Sequence, residues 1–349
     1  IYNLEKSETE EFLQALLKSN NSIEIIDEIN SQLEELIKLR HPSKNLGKNE
    51  LKLNIEIHLN GLPISSYGNW IYYSWTNKLV HVLPEKEFIE VRTNRNKNKI
   101  TQVEQDLLGT KKIGIIGLSV GKAIAMAMAT ERICGELVLA DFDIIELSNL
   151  NRIQTGIQNF GVKKTIVVAR EIAEIDPYLK VTCYNEGLTE ENLTDFFTLN
   201  GKLDICVEVC DGLNAKVFSR KQAKELGIPV VMDTNDRGMI DIERFDLEPN
   251  RALFHGLINH LDLNSINAEQ TNLEKLPFID AIVDFNSVSN RLKQSIPEIG
   301  KSISSWPQLA SSVILGGAVT CNVCRRILLN EFKSSGRYFI DLNQLIKNN

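Results

Sequence analysis

A chain of 349 residues with ordinary apolar and charged fractions, 43% and 24%, is long enough for one large α/β domain with appendages or for two domains. Its formal charge of -7 argues against broad nucleic-acid binding, and its six cysteines show no disulfide-like spacing and follow no secretory leader, which points to a reducing, cytoplasmic setting. Nine acids against four bases in residues 1–40 account for five of the seven net negative charges, so the remainder is nearly neutral.

The first forty residues are predicted to form two amphipathic helices. Phe12, Leu13, Leu16 and Leu17 mark one, and Ile26, Ile29, Leu33, Leu36 and Ile37 mark the other, at three- and four-residue steps. His41-Pro42 ends the second. From Leu51 to Val91 the period shortens: K-L-N-I-E-I-H-L alternates, and W-I-Y-Y-S-W and L-V-H-V-L are rich in β-formers, which predicts a small sheet or hairpin region. The basic run R-T-N-R-N-K-N-K follows, from Arg92 to Lys99.

From Lys111 to about Met232, the apolar strands I-G-I-I-G, E-L-V-L-A-D, K-V-T-C-Y, D-I-C-V-E-V and I-P-V-V-M alternate with helical stretches. That order predicts a parallel sheet with helices on both faces, a Rossmann-like doubly wound α/β fold. The run G-M-I-D-I-E-R-F-D-L either extends this sheet or starts a second one. The last ninety residues look helical and irregular, like a cap. Within them, Pro307 to Cys324 is uncharged but carries Gln308, Ser311, Ser312, Thr320 and Asn322, so it is expected to be a buried helix rather than a membrane span, which needs about twenty mostly apolar residues. The division expected is an N-terminal helical and β extension (1–91), a nucleotide-binding domain (92–254) and a C-terminal helical cap (255–349).

The first strand of the alternating region ends in I-I-G-L-S-V-G-K-A, and a helix begins at once. Gly117 and Gly121 flank Leu118-Ser119-Val120, a turn that brings backbone N–H groups and a helix dipole toward a bound phosphate. Asp141 falls twenty residues after Gly121 at the end of the next strand, where an acid hydrogen-bonds a ribose hydroxyl in nucleotide-binding α/β folds. It opens the block D-F-D-I-I-E-L-S-N-L-N-R, Asp141 to Arg152, which a nicotinamide cofactor does not account for.

With that block, the glycine turn, F-G-V-K-K ending at Lys164, and C-D-G at Cys210 to Gly212, roughly residues 92–250 resemble the ubiquitin-activating-enzyme-like adenylating proteins of the ThiF/MoeB type. The resemblance implies ATP- and Mg²⁺-dependent adenylation of a carboxylate, typically the C-terminal glycine of a ubiquitin-like or sulfur-carrier protein. It implies nucleotide contacts from Gly117, Ser119, Gly121, Asp141, Asp143 and Asn149, with Arg152 and Lys164 stabilising charge around the triphosphate and Asp211 holding Mg²⁺. Lys163 is the rival of Lys164. Asp211 could instead cap the helix from Leu213, and Asp143 could cap a turn. The glutamine that usually follows the arginine is Ile153 here, with Gln154 next.

Family precedent further implies a homodimer in which a cation of the segment before the first strand, Arg95, Lys97 or Lys99, reaches the partner's triphosphate. Only one C-x-x-C pair, Cys321 and Cys324, is present, so no structural zinc is predicted. Cys206 and Cys210 are expected to be inert packing. The flanks look like those of bacterial fusions in which a ThiF-like domain precedes a nitroreductase-like flavin domain, and Ile1 in place of a methionine implies the front part of such a protein. Two other functions compete: a nucleotide-binding interaction module without turnover, and an NAD-dependent oxidoreductase.

Overall fold

A computed structural model describes residues 1–3, 7–263, 266 and 272–347. The chain divides into two compact units, residues 1–102 and 103–349.

The first unit contains β1 (Tyr2–Asn3), α1 (Ser7–Ser19), β2 (Glu24–Asp27), α2 (Ile29–Arg40), α3 (Lys48–Leu59), β3 (Asn69–Tyr73), β4 (Lys78–Val82) and α4 (Glu85–Arg92). Its four strands run in the order β1-β3-β4-β2, with β2 and β4 parallel and the β3–β4 hairpin antiparallel. Two expectations are corrected here. Ile26 lies in β2, paired with Val80, and not in the second helix. Lys48–Leu59 is a helix although its sequence alternates, because the buried set is Leu51, Ile55 and Leu59 at four-residue steps, whereas Leu53 and Ile57 face solvent. Those three pack with Leu33, Leu36 and Ile37 of α2.

After α5 (Gln102–Leu108), which starts at the boundary residue, the second unit contains β5 (Lys112–Ile116), α6 (Leu118–Glu131), β6 (Glu136–Ala140), α7 (Lys164–Ile175), β7 (Lys180–Tyr184), α8 (Leu193–Thr198), β8 (Ile205–Glu208), α9 (Leu213–Leu226), β9 (Val230–Asp233) and β10 (Met239–Glu243). Beyond these come α10 (Asn272–Val283), α11 (Asn290–Ser295), α12 (Ala310–Leu328), β11 (Gly336–Phe339) and α13 (Leu342–Leu345). The sheet order is β11-β10-β9-β8-β5-β6-β7. From β9 to β7 every pairing is parallel, and β10 and β11 add an antiparallel edge. This is the Rossmann-like, doubly wound sheet that the alternation predicts. The run beginning at Gly238 extends it. The strand β11 was not legible in the C-terminal region, parts of which lie outside the described residues.

Helices cover both faces. Ile115 of β5 faces α6 so closely that a β-carbon on Gly121 would fall 2.8 Å from its Cγ2. The opposite face packs Ile116, Ala140 and Cys206 against Phe196 and Phe197 of α8 and Ala223 of α9. The chain builds β5, β6 and β7 outward and then returns to the other side of β5 for β8. That reversal creates the crevice in which doubly wound folds bind ligands. Residues 310–328 form the buried helix expected there, packed on α6, and no described helix is long and apolar enough to cross a membrane.

Charge is also buried in this core. Arg220 of α9, fully enclosed, donates to Glu208 of β8 at 2.6 Å and to Glu243 of β10 at 2.7 Å, and its guanidinium lies 4.0 Å from the Phe254 ring centroid. Burial alone would raise the Glu208 carboxyl, but Lys216 and Arg220 hold it below its ordinary value. Glu208 Oε1 also accepts the Cys210 N–H at 2.9 Å, which links the ion network to the loop carrying Asp211.

Candidate functional site

The site begins at the turn after β5. Gly117 has φ +89°, and a β-carbon there would fall 2.8 Å from the Cys210 backbone, so both its conformation and the approach of the β8 loop require glycine. Leu118 is the first helical residue, and its N–H is one of four that the helix cannot satisfy internally. Asp141, at the end of β6 and only 8% exposed, takes that N–H on Oδ2 at 2.6 Å, while Oδ1 takes the Asp143 N–H at 2.8 Å. Burial raises the Asp141 carboxyl above its ordinary value, against the Lys164 charge and these two N–H groups.

Lys164 is the buried one of the two candidate lysines. Its Nζ lies 2.7 Å from Asp143 Oδ2 and its N–H donates to the Asp143 carbonyl, whereas Lys163 Nζ donates to the Phe142 carbonyl. On the other flank of the turn, half-buried Arg152 donates from Nε to Ser119 Oγ at 3.0 Å. Burial lowers the Arg152 guanidinium, against the pull of the Asp211 carboxylate. Asp211 itself is exposed, and α9 begins without a side-chain cap, so Asp211 does not cap it. Asn149 is buried and accepts the Glu146 N–H, closing the short turn that precedes Arg152. Ile153 is buried with Ile145 and Val167, and Gln154 is exposed.

The structure therefore gathers Gly117, Ser119, Asp141, Asp143, Arg152, Lys164 and Asp211 around one crevice, with Gly121 packing the helix that floors it. Arg95 lies in the first unit. Burial raises all six thiols, Cys183 to about 11 and Cys134 to about 12, so none is poised as a nucleophile at neutral pH.

A cleft of about 1090 Å³ adjoins the crevice, lined on that side by Val120, Cys210 and Asp211 and continuing past Asp233 and Asn235 at the end of β9. Sequence reasoning missed Asp233 and Asn235, although an acid directly ending the apolar strand I-P-V-V-M repeats the placement of Asp141. Burial pushes the Asp233 carboxyl up to about 7. Between the ordinary value of 3.8 and about 7, the native state holds a proton that the unfolded state has released, so this group's contribution to stability is lost as pH rises through that window. Asp233→Asn is expected to remove this loss. Chemical denaturation above pH 7 should show the variant more stable than wild type by ~2–4 kcal/mol, with the difference vanishing below pH 4. A pH-independent difference would reject the assignment.

Known proteins match this chain in sequence and fold. The ThiF family model matches residues 93–237. An uncharacterized protein of Mycobacterium tuberculosis, MT1398, is 39% identical over 328 residues, covering 94% of this chain and 43% of that protein. The molybdopterin-synthase adenylyltransferase of Haemophilus influenzae is 25% identical over 155 residues, 44% of this chain and 62% of the relative. The chain thus spans less than two thirds of either relative. The solved structure of PaaA shares the fold at a TM-score of 0.50 and 17% identity, covering 87% of this chain and 82% of that one. Residues 93–237, which carry the whole crevice from Gly117 to Asp211, are therefore a ThiF-family domain.

Proposed function

We propose that this chain binds ATP with Mg²⁺ at the carboxyl ends of β5 and β6 and uses it to adenylate a carboxylate. The observation that carries this reading is the junction of Asp141 with the Leu118 N–H, flanked by Lys164 on one side and Arg152 on the other. Asp141, held by two backbone donors, would accept the ribose hydroxyls on its remaining lone pairs. The remaining amides of the first turn of α6 are the donors left for phosphate.

In the reaction, a carboxylate oxygen attacks the α-phosphorus, the new O–P bond forms, and the bridging P–O bond to pyrophosphate breaks. Negative charge grows on the bridging and non-bridging oxygens, where the Arg152 and Lys164 cations are useful. Asp211 is an exposed carboxylate at the crevice, the kind of ligand that Mg²⁺ combines with substrate phosphates and water, so it would suit that ion. The Haemophilus relative is by name an adenylyltransferase of molybdopterin synthase, which supports a protein C-terminus, ubiquitin-like or sulfur-carrier, as the carboxylate. A homodimer would let Arg95, Lys97 or Lys99 of each copy approach the other's triphosphate.

A nucleotide-binding module without turnover is the second reading. One observation favours it: Lys164 and Arg152 are already engaged, by Asp143 and Ser119. ATP–pyrophosphate exchange with a panel of carboxylates, including peptides ending in Gly-Gly, decides between the two. Carboxylate-dependent exchange is expected. ATP binding with no exchange across the panel would leave the binding module.

A further inference from the structure

The cleft beyond Asp211 carries polar atoms for which the nucleotide reading has no use. Asp233 and Asn235 line it and are 4% and 7% exposed. Asp233 Oδ1 accepts the Asn235 N–H at 2.9 Å, but Asp233 Oδ2 and Asn235 Oδ1 are buried without a hydrogen-bond partner. Gln308, also on the cleft wall, has its Oε1 in the same condition. Its backbone carbonyl accepts from Asn151 Nδ2 at 2.9 Å, which ties this wall to the residue beside Arg152.

All three orphaned atoms are acceptors. Three of the four described cations lining the same space are engaged elsewhere, Lys216 with Glu208, Arg237 with Asp341 and the Ser287 carbonyl, and Lys293 with the Asn286 carbonyl, and the fourth, Arg291, stands at the exposed rim. Both oxygens lie against Gly316 of α12, where a β-carbon would fall 1.9 Å from Asp233 Oδ2 and 3.0 Å from Asn235 Oδ1, so only a glycine tolerates them there. The two buried oxygens are thus neighbours at one point of the cleft wall. A buried acceptor left unpaired is costly, so a ligand that supplies donors to both gains by binding there.

We propose that this cleft binds its ligand through a protonated primary amine seated against Asp233 Oδ2 and Asn235 Oδ1. An ammonium group brings three donors, no acceptor and a positive charge, which complements a carboxylate and a carboxamide oxygen. A carboxylate or phosphate would bring further acceptors to a place that already lacks donors. An arriving cation also draws Asp233, pushed up to about 7 by burial, into its charged form. This site does not depend on adenylation, and it can be tested without ATP.

The test is calorimetric titration of the chain, above pH 7, with n-butylammonium. The comparison probes are n-butanol, which has the same apolar tail, and tetramethylammonium, which is a cation without N–H groups. Saturable binding of n-butylammonium is expected, with both comparison probes about tenfold weaker or more. Asp233→Asn is nearly isosteric and should weaken n-butylammonium binding by about ten- to a hundredfold, and Asn235→Ala by less. Arg291→Ala, at the exposed rim, should leave it unchanged. Equal binding of n-butanol, or unchanged affinity in folded Asp233→Asn and Asn235→Ala variants, would overturn the proposal. Absence of saturable binding would overturn it too, and would mean that Asn235 turns its amide toward Asp233 and satisfies the pair internally.

Discussion

Replacing Arg152 or Lys164 with alanine is expected to depress ATP–pyrophosphate exchange by about a hundred- to a thousandfold while weakening ATP binding by about tenfold or less. Both cations are fixed before any ligand arrives, Lys164 by Asp143 at 2.7 Å and Arg152 by Ser119 at 3.0 Å. A cation held in place needs little reorganisation when charge develops, so its largest contribution comes in the transition state. Lys164 is also buried, which strengthens its field at Asp141 and would do so at a bound phosphate. Equal losses in exchange and affinity would assign both residues to ordinary ground-state binding. Lys163→Ala, whose side chain reaches only the Phe142 carbonyl, should lower exchange far less.

The second large effect concerns stability. Arg220→Met is expected to cost ~3–5 kcal/mol, because it leaves Glu208 and Glu243 buried without the guanidinium that neutralises both. The loss should appear in urea denaturation as a lower midpoint with little change in slope. Adding Glu208→Gln and Glu243→Gln to Arg220→Met should recover much of it, since neutral amides do not carry the same desolvation penalty. A loss in the single variant below about 1 kcal/mol would show that water reaches the network. Because Glu208 also anchors the Cys210 N–H, the single variant should loosen the Asp211 loop as well as the core.

The sequence resolved the second unit better than the first, and the reason is burial. Strands β5, β6, β8 and β9 are enclosed on both faces, so they read as short continuous apolar runs between helices, a pattern with few alternatives. Residues 48–59 misled because I-E-I-H-L satisfies a two-residue period, while the positions that pack, Leu51, Ile55 and Leu59, satisfy a helical one. Only the neighbouring α2 decides between them. β11 was invisible because G-R-Y-F is half exposed at a sheet edge and owes its conformation to β10. The crevice residues were legible as a set because their spacing around the β5 and β6 ends is local in sequence. Asp233, Asn235 and Gln308 come together only through the sheet order and the placement of α12, which no short-range pattern encodes.

Central to this account is a nucleotide held by Asp141 at the turn after β5. The most direct test is calorimetric titration of wild type and Asp141→Ala with ATP-Mg, AMP and NAD. The account predicts that wild type binds ATP-Mg and AMP but not NAD, and that the folded variant loses ~1–3 kcal/mol of ATP affinity through the missing charge-assisted hydrogen bonds. Tight NAD binding, or an ATP dissociation constant unchanged by Asp141→Ala, would contradict it.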